Sequence, residues 1–434
     1  MIRSQLEKFT SQIGDDAIAI IPAAREVIRS FDTEFKFRQD SDFAYLTGFP
    51  EPDAIAVINP SHATDKFVLF VRPRNPLLET WNGKRFGVEG ASEKFGANKA
   101  FDIADFQKEI GARLNGKEKL IYRFGVNNDL DATILQCFKD FRLRGRKGFY
   151  APTTIIDPSI YLHESRLIKT ADEIELMRQS AEIAVEAHIE AMKFTKPNMN
   201  EFEVEALLEY VFKRRGASGN AYNSIVGGGA NATILHYVEN NAVLKDGDLL
   251  LIDAGADFKG YASDITSTFP VNGKFTTAQR ELYELVLSTE RACLKETRAG
   301  VSVKERQDLS IKMLTEGMLR LGILTGDFDK IIAEKTYERF YMHGVGHFLG
   351  LDVHDAGRYF TDTKGESSSK FEAGMVVTVE PGIYIPENAE NVPDKYRGIG
   401  IRLEDDILVT QDGNENLTAR CPKEIEEIEE IMAK

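Results

Sequence analysis

Two aspartates flank a tight turn in the stretch 245–269, KDGDLLLIDAGADFKGYASDITSTF, and they constrain the fold more than any other feature of the chain. Apolar and β-branched residues crowd 249–252 and a second such run follows Tyr261, so the cluster 257–260 between them predicts a hairpin. Closing it with Asp257 against Gly260 sets Asp253 directly opposite Asp264. Opposed side chains in an antiparallel pair have Cβ atoms roughly 4.5–5.5 Å apart, and two carboxylates that close repel unless a proton or a cation sits between them. The hairpin therefore predicts a metal site.

A later part of the chain answers it. FEAGMVVTVEPGIYI (371–385) is an apolar strand after a Gly turn, with Glu380 in an otherwise β-like run. YRGIGIRLEDDILVT (396–410) carries Arg402 and Glu404, which share a face by strand alternation. Between the two hairpins YMHGVGHFLGLDVHD (341–355) holds three of the chain's seven histidines. Four carboxylates and one histidine form an oxygen-rich set with a single nitrogen, which suits two hard divalent ions such as Mn²⁺ better than a thiolate zinc site would.

At 434 residues the chain predicts two domains, divided near 157–169 into 1–160 and 161–434. A net charge of −15 argues against nucleic acid or an anionic membrane surface as the main partner. Three cysteines, Cys137, Cys293 and Cys421, are widely spaced with no CxxC, as expected of reduced thiols in the cytoplasm. No apolar run approaches the ~18 residues of a membrane span, and the first residues lack the apolar core of a signal peptide.

The first 160 residues read as an α/β unit: a helix at 3–13 and strands at 17–22, 53–58, 66–71 and 120–124. Trp81, the only tryptophan, falls in the Gly-rich ETWNGKRFGVEGA, which predicts a surface loop. A local hydrophobic plug and a functional contact are both open for it. Thr170 and Glu173 predict a capping box opening a long helix, and a second helix covers 201–215. His188 lies on the apolar stripe of the first and reads as a core or rim residue. His236 ends an apolar run in SIVGGGANATILHY, where structural and functional roles are both open. Two further helical patterns, 277–300 and 303–321, precede the second hairpin. Helix, helix, carboxylate hairpin thus occurs twice, which predicts two related halves gripping one metal pair.

These residues resemble the pita-bread metallopeptidases, whose ligand order Asp, Asp, His, Glu, Glu matches Asp253, Asp264, His347, Glu380 and Glu404. The strings SDFAYLTGF, YNSIVGGGANATILHY, MHGVGHFLGLDVHD, VEPGIYI and YRGIGIRLEDDI are similar to the bacterial-type aminopeptidase P branch, over nearly the whole chain. The resemblance implies an α/β N-terminal domain for oligomerisation or active-site capping and an α+β pita-bread catalytic domain with a pseudo-two-fold repeat. It also implies a catalytic histidine at His236, contributions from His354, Arg402 and Glu380, and substrate contacts from Tyr222, His343, Tyr384 and Trp81, the last reaching across subunits of a homo-oligomer. The expected reaction is hydrolysis of X–Pro–Y peptides before the proline. A hydroxide bridging the two ions is the expected nucleophile, because water there loses much of its pKa. A prolidase confined to dipeptides, a creatinase-like enzyme (which the intact ligand set counts against) and a non-catalytic binding protein are the alternatives.

Overall fold

The computed structural model describes residues 2–434, which divide into two compact units, the first ending at Ser165 and the second running from Arg166 to Lys434. No helix among the described residues is long and apolar enough to cross a membrane. The first unit is built on a six-stranded mixed sheet in the order Lys99–Asp102, Phe67–Val71, Ile55–Ile58, Ala17–Pro22, Lys119–Ile121, Thr154–Ile156. Its central strands are buried apart from the partly exposed Pro22, and Ile18, Ile20, Val68 and Phe70 pack on helices Phe106–Leu114 and Asn128–Leu143. Trp81 departs from expectation. It lies in a short helix, Pro76–Asn82, started by Asn75 with proline at the first turn, and its side chain is 85 % exposed.

Four long helices frame the second unit: Ala171–Phe194, Glu201–Arg214, Thr277–Glu296 and Val303–Arg320. Each opens with a reciprocal capping box, on Thr170/Glu173, Asn200/Glu203, Thr276/Gln279 and Ser302/Glu305. Each helix pair precedes a long hairpin, so the two related halves are present. In the first, Leu249–Asp253 lies between Ile225–Gly228 and Thr266–Pro270. In the second, Val376–Val379 and Gly382–Ile385 pair with Asp405–Val409 and Ile399–Arg402.

The first hairpin turns two residues away from the expected register. Phe258 pairs with Tyr261 and Asp253 with Thr266, so Asp264 is the diagonal neighbour of Asp253 instead of its direct partner. The turn residues are Lys259 and Gly260, both at positive φ (53° and 89°), as a two-residue turn of this hand requires; the expected closure would have put Phe258 there. A shift of two leaves the face unchanged, so the carboxylates still face the same way. Gly255 makes the crossing possible, because a Cβ there would sit 1.7 Å from the Ser263 carbonyl oxygen. In the second hairpin Pro381 interrupts the long strand expected over 371–385. Glu380 therefore sits at a break. The register runs on across it, from Val379 opposite Asp405 to Gly382 opposite Arg402, which places Glu380 opposite Glu404. The two hairpins are stitched together where Glu404 N–H donates to the Thr266 carbonyl (3.0 Å) and the Thr268 hydroxyl to that of Arg402 (2.8 Å).

His188 is a core residue, fully buried beneath the first hairpin. Its Nε2–H donates to the Ala254 carbonyl (2.9 Å), and Nδ1 accepts from the Ser267 hydroxyl (2.7 Å), which fixes the neutral tautomer. Burial pushes its pKa down from 6.5 to about 4. A folded value below the unfolded one means stability that is complete above pH 6.5 and lost as pH falls through about 4. The stability advantage of the parent over His188→Gln, measured by denaturant unfolding of the metal-free protein, should accordingly shrink by roughly 3 kcal/mol from pH 7.5 to pH 4.

Candidate metal centre

Asp253, Asp264, His347, Glu380, Glu404, Arg402, Tyr222, His236, His343 and His354 line one cavity of about 410 Å³. Each comes from a strand end or an adjoining loop of the two stitched hairpins and the segments packed on them. His347 is held by backbone pairing with the second hairpin: Thr378 N–H donates to its carbonyl (2.9 Å), and its own N–H donates to the Thr378 hydroxyl (3.0 Å). Its Nδ1–H donates to the Phe348 carbonyl (3.0 Å), leaving Nε2 directed at Asp264 (3.3 Å) and Glu380 (3.7 Å).

One donor atom each from Asp264, His347 and Glu404 lie within 4.8 Å of one another. The electrostatics of the set call for cations. Burial, and the other carboxylates around it, push Asp264 up to about 6, and Glu404 is raised well above its ordinary range for the same two reasons. Burial raises Glu380 too, against the pull of His347 and Arg402. Burial on its own would lower His347, but Asp264 and Glu380 outweigh it and hold the imidazole at about 9. The Tyr222 hydroxyl touches both Asp253 (2.6 Å to Oδ1) and Asp264, yet its single proton can serve only one of them. Such a cluster is short of positive charge, and its oxygen-rich donors fit divalent metal ions.

Arg402 supplies part of the balance. It donates from Nη2 to Asp253 (2.6 Å), from Nε to the Thr266 hydroxyl (3.1 Å) and from Nη1 to the Tyr384 hydroxyl (3.0 Å), while Thr266 donates onward to Glu404 (2.7 Å). Tyr384 is fully buried behind the wall and gives its proton to His343 Nε2 (2.8 Å); His343 Nδ1–H donates to the Gly344 carbonyl (2.8 Å). Burial, reinforced by Arg402, pushes His343 down to about 4, so this wall is uncharged at neutral pH. His354 stands edge-on to His347, ring centroids 4.4 Å apart, and burial lowers its pKa. His236 projects from an irregular turn after the 3₁₀ helix Gly229–Thr233 and not from a strand end, because the glycines carry the chain out of the sheet there. Trp81 belongs to the first unit and is not among the residues lining the cavity.

Two supporting residues escaped the sequence reading. Thr266 couples Arg402 to Glu404, and the buried Asp406 carboxylate accepts from the Asp264 N–H (3.1 Å). The signal was strand alternation, since each lies two residues beyond a ligand on the same face.

Residues 175–411 match the model of metallopeptidase family M24, and residues 3–122 match the aminopeptidase P N-terminal domain. The chain belongs to metallopeptidase family M24, with the N-terminal domain of its aminopeptidase P branch. It is 45 % identical to the Xaa-Pro aminopeptidase of Escherichia coli, over 98 % of this chain and 96 % of that one. Its fold superposes on aminopeptidase PepP of Pseudomonas aeruginosa with a TM-score of 0.96 at 44 % identity, covering 100 % and 97 % of the two chains. The zinc-substituted E. coli aminopeptidase P in complex with product gives 0.95 at the same identity and coverage.

Asp264→Asn removes a repelling charge and a donor together. It should leave the metal-free protein at least as stable as the parent, yet lower metal content by one ion or more and abolish nearly all peptidase activity. Elemental analysis and thermal unfolding with and without chelator check both halves.

Proposed function

We propose that the chain is a Xaa-Pro aminopeptidase, hydrolysing the bond between the first residue of a peptide and a following proline. One observation carries the reading: a complete Asp, Asp, His, Glu, Glu set lines a single cavity in a chain similar over its whole length to Xaa-Pro aminopeptidases. Asp253, Asp264, His347, Glu380 and Glu404 would hold two divalent cations, and the preponderance of carboxylate oxygen favours Mn²⁺. When bound, the ions supply Lewis-acid polarisation of the scissile carbonyl and a water acidic enough to ionise near neutral pH.

The side chains of the cavity do the rest. Glu380, beside His347 and 3.8 Å from His343, takes a proton on the attacking side and returns it to the leaving nitrogen. Arg402 offsets the carboxylates and holds Asp253 in place. His236 and His354 face the substrate, and His236 takes the acid–base or electrophilic role. An X–Pro amide is tertiary and has no N–H, so a peptidase cannot use that hydrogen as a handle. A neutral wall of His343 backed by Tyr384 suits the pyrrolidine ring, and the acidic cavity suits the α-ammonium group that sets the register. Tyr222 keeps the two aspartates together on that side.

A dipeptidase would need to block the space beyond the proline, or to place a cation there that captures its carboxylate. Three donors of Arg402 are committed inside the site, and Arg397 pairs with Asp394 (3.0 Å) away from the cavity lining. That favours the aminopeptidase. The N-terminal unit serves oligomerisation, with the exposed Trp81 capping a neighbouring subunit's site in a homo-oligomer, and three free cysteines support a cytoplasmic location.

Incubation with Mn²⁺ should convert X–Pro–Y tripeptides and pentapeptides to X and the proline-led remainder, at higher kcat/KM than X–Pro dipeptides, as read from product masses. N-acetylation, or alanine in place of proline, should block cleavage; activity confined to dipeptides would make the enzyme a prolidase. Trp81→Ala should weaken activity on short peptides, and sedimentation should return an oligomer; a fully active variant of a monomeric protein would remove the capping role.

A further inference from the structure

His236 is exposed and makes no hydrogen bond to any described residue, so its direction depends on the backbone beneath it. That backbone, residues 228–242, has little regular structure of its own after the 3₁₀ turn at Gly229–Thr233. It is gathered onto one buried carboxylate. Glu201, the first residue of helix Glu201–Arg214 and fully buried, accepts at Oε1 from Gly228 N–H (2.8 Å) and the Asn231 amide (3.0 Å). At Oε2 it accepts from the Tyr237 hydroxyl (2.8 Å) and Ala242 N–H (2.8 Å). Its own N–H donates to the Ala242 carbonyl (3.0 Å).

Four donors fill the acceptor sites of an ionised carboxylate, and the helix N-terminus favours its charge. No cationic side chain is among these partners. The donors come from both ends of the segment and from Tyr237, the immediate neighbour of His236. An ordinary helix-capping acid needs none of this, and Glu203 already closes the capping box with Asn200.

We propose that Glu201 is a positioning residue for the peptidase reaction: by clamping both ends of segment 228–242 it fixes His236, with Leu235 and Val238, against the metal-ligand cavity. This rests on the role given to His236 above. Charge-assisted bonds hold a loop more tightly than neutral ones, and a displacement of about 1 Å at a reacting group costs up to ~10²-fold in rate. Glu201→Gln is the sharp probe. In either orientation its NH₂ confronts a backbone N–H, Gly228 or Ala242, so one end of the clamp opens while size is conserved.

The test measures kcat, KM, metal content and thermal unfolding for Glu201→Gln, Tyr237→Phe, His236→Ala and the two doubles with His236→Ala, on an X–Pro–Y tripeptide. Glu201→Gln should keep the parent's metal content and lower kcat by ~10–100-fold. Tyr237→Phe, which removes one donor of four, should lower it several-fold. Both should cost far less once His236 is already alanine, because the clamp acts chiefly through that side chain. Parental kcat in Glu201→Gln overturns the inference, as does an equal fall with and without His236. If Glu201→Gln does not fold, Tyr237→Phe decides by the same two comparisons. Parental kcat in His236→Ala would instead overturn the role of His236 itself, whatever the glutamate does.

Discussion

Like-charge repulsion among four carboxylates is the constraint on which the catalytic unit depends. Asp253, Asp264, Glu380 and Glu404 are brought into one cavity from two hairpins, and against them stand Arg402, beside Asp253, and His347, beside Asp264 and Glu380. Nothing in the packing of a hairpin gains from this. The surrounding structure has to hold the acids together, and it does so with a backbone bond between the hairpins, the Thr266 and Thr268 hydroxyls, and two hydrogen bonds to Asp253, one from Arg402 and one from Tyr222. The four capped helices and the large core behind the sheets supply the stability against which this local cost is set.

The chemistry of the wall follows from the same geometry. Arg402 reaches Tyr384, Tyr384 reaches His343, and His343 reaches a backbone carbonyl, so the proton directions along the chain are all determined. A cavity with a strongly charged metal-binding side and a neutral aromatic side is what a substrate with a free ammonium group and an apolar ring needs. The two properties share one residue, because Arg402 offsets the acids and reinforces the burial that keeps His343 uncharged.

Much of this was legible in the sequence, for identifiable reasons. Asp253 and Asp264 could be placed on one face because strand alternation has a period of two, and an error of two in the turn left the face intact. The turn differs from the expected one because Gly260 can either pair with Asp257 or sit inside the turn after Lys259, and the positive φ of Lys259 and Gly260 selects the second. The glycines that follow Trp81 point to a loop, whereas the signal for its helix lies upstream, in the cap Asn75 and the first-turn Pro76. Glu201 has no signal in the sequence beyond its place at the start of a helix. Its partners Gly228, Asn231, Tyr237 and Ala242 lie 27 to 41 residues away, and no local pattern reports a contact of that range.

The unequal registers of the two hairpins carry a further consequence. Glu380 and Glu404 stand directly across from each other, whereas Asp253 and Asp264 are offset by one pleat. Arg402 and Tyr222 load the Asp253 side with donors, while the imidazole of His347 serves the side of Asp264 and Glu380. A fold that repeats itself therefore ends in a site that does not. Two cations held there would meet unlike charge and unlike ligand types, so they would fill in order, and a half-loaded protein would be one chemical species instead of a mixture of two.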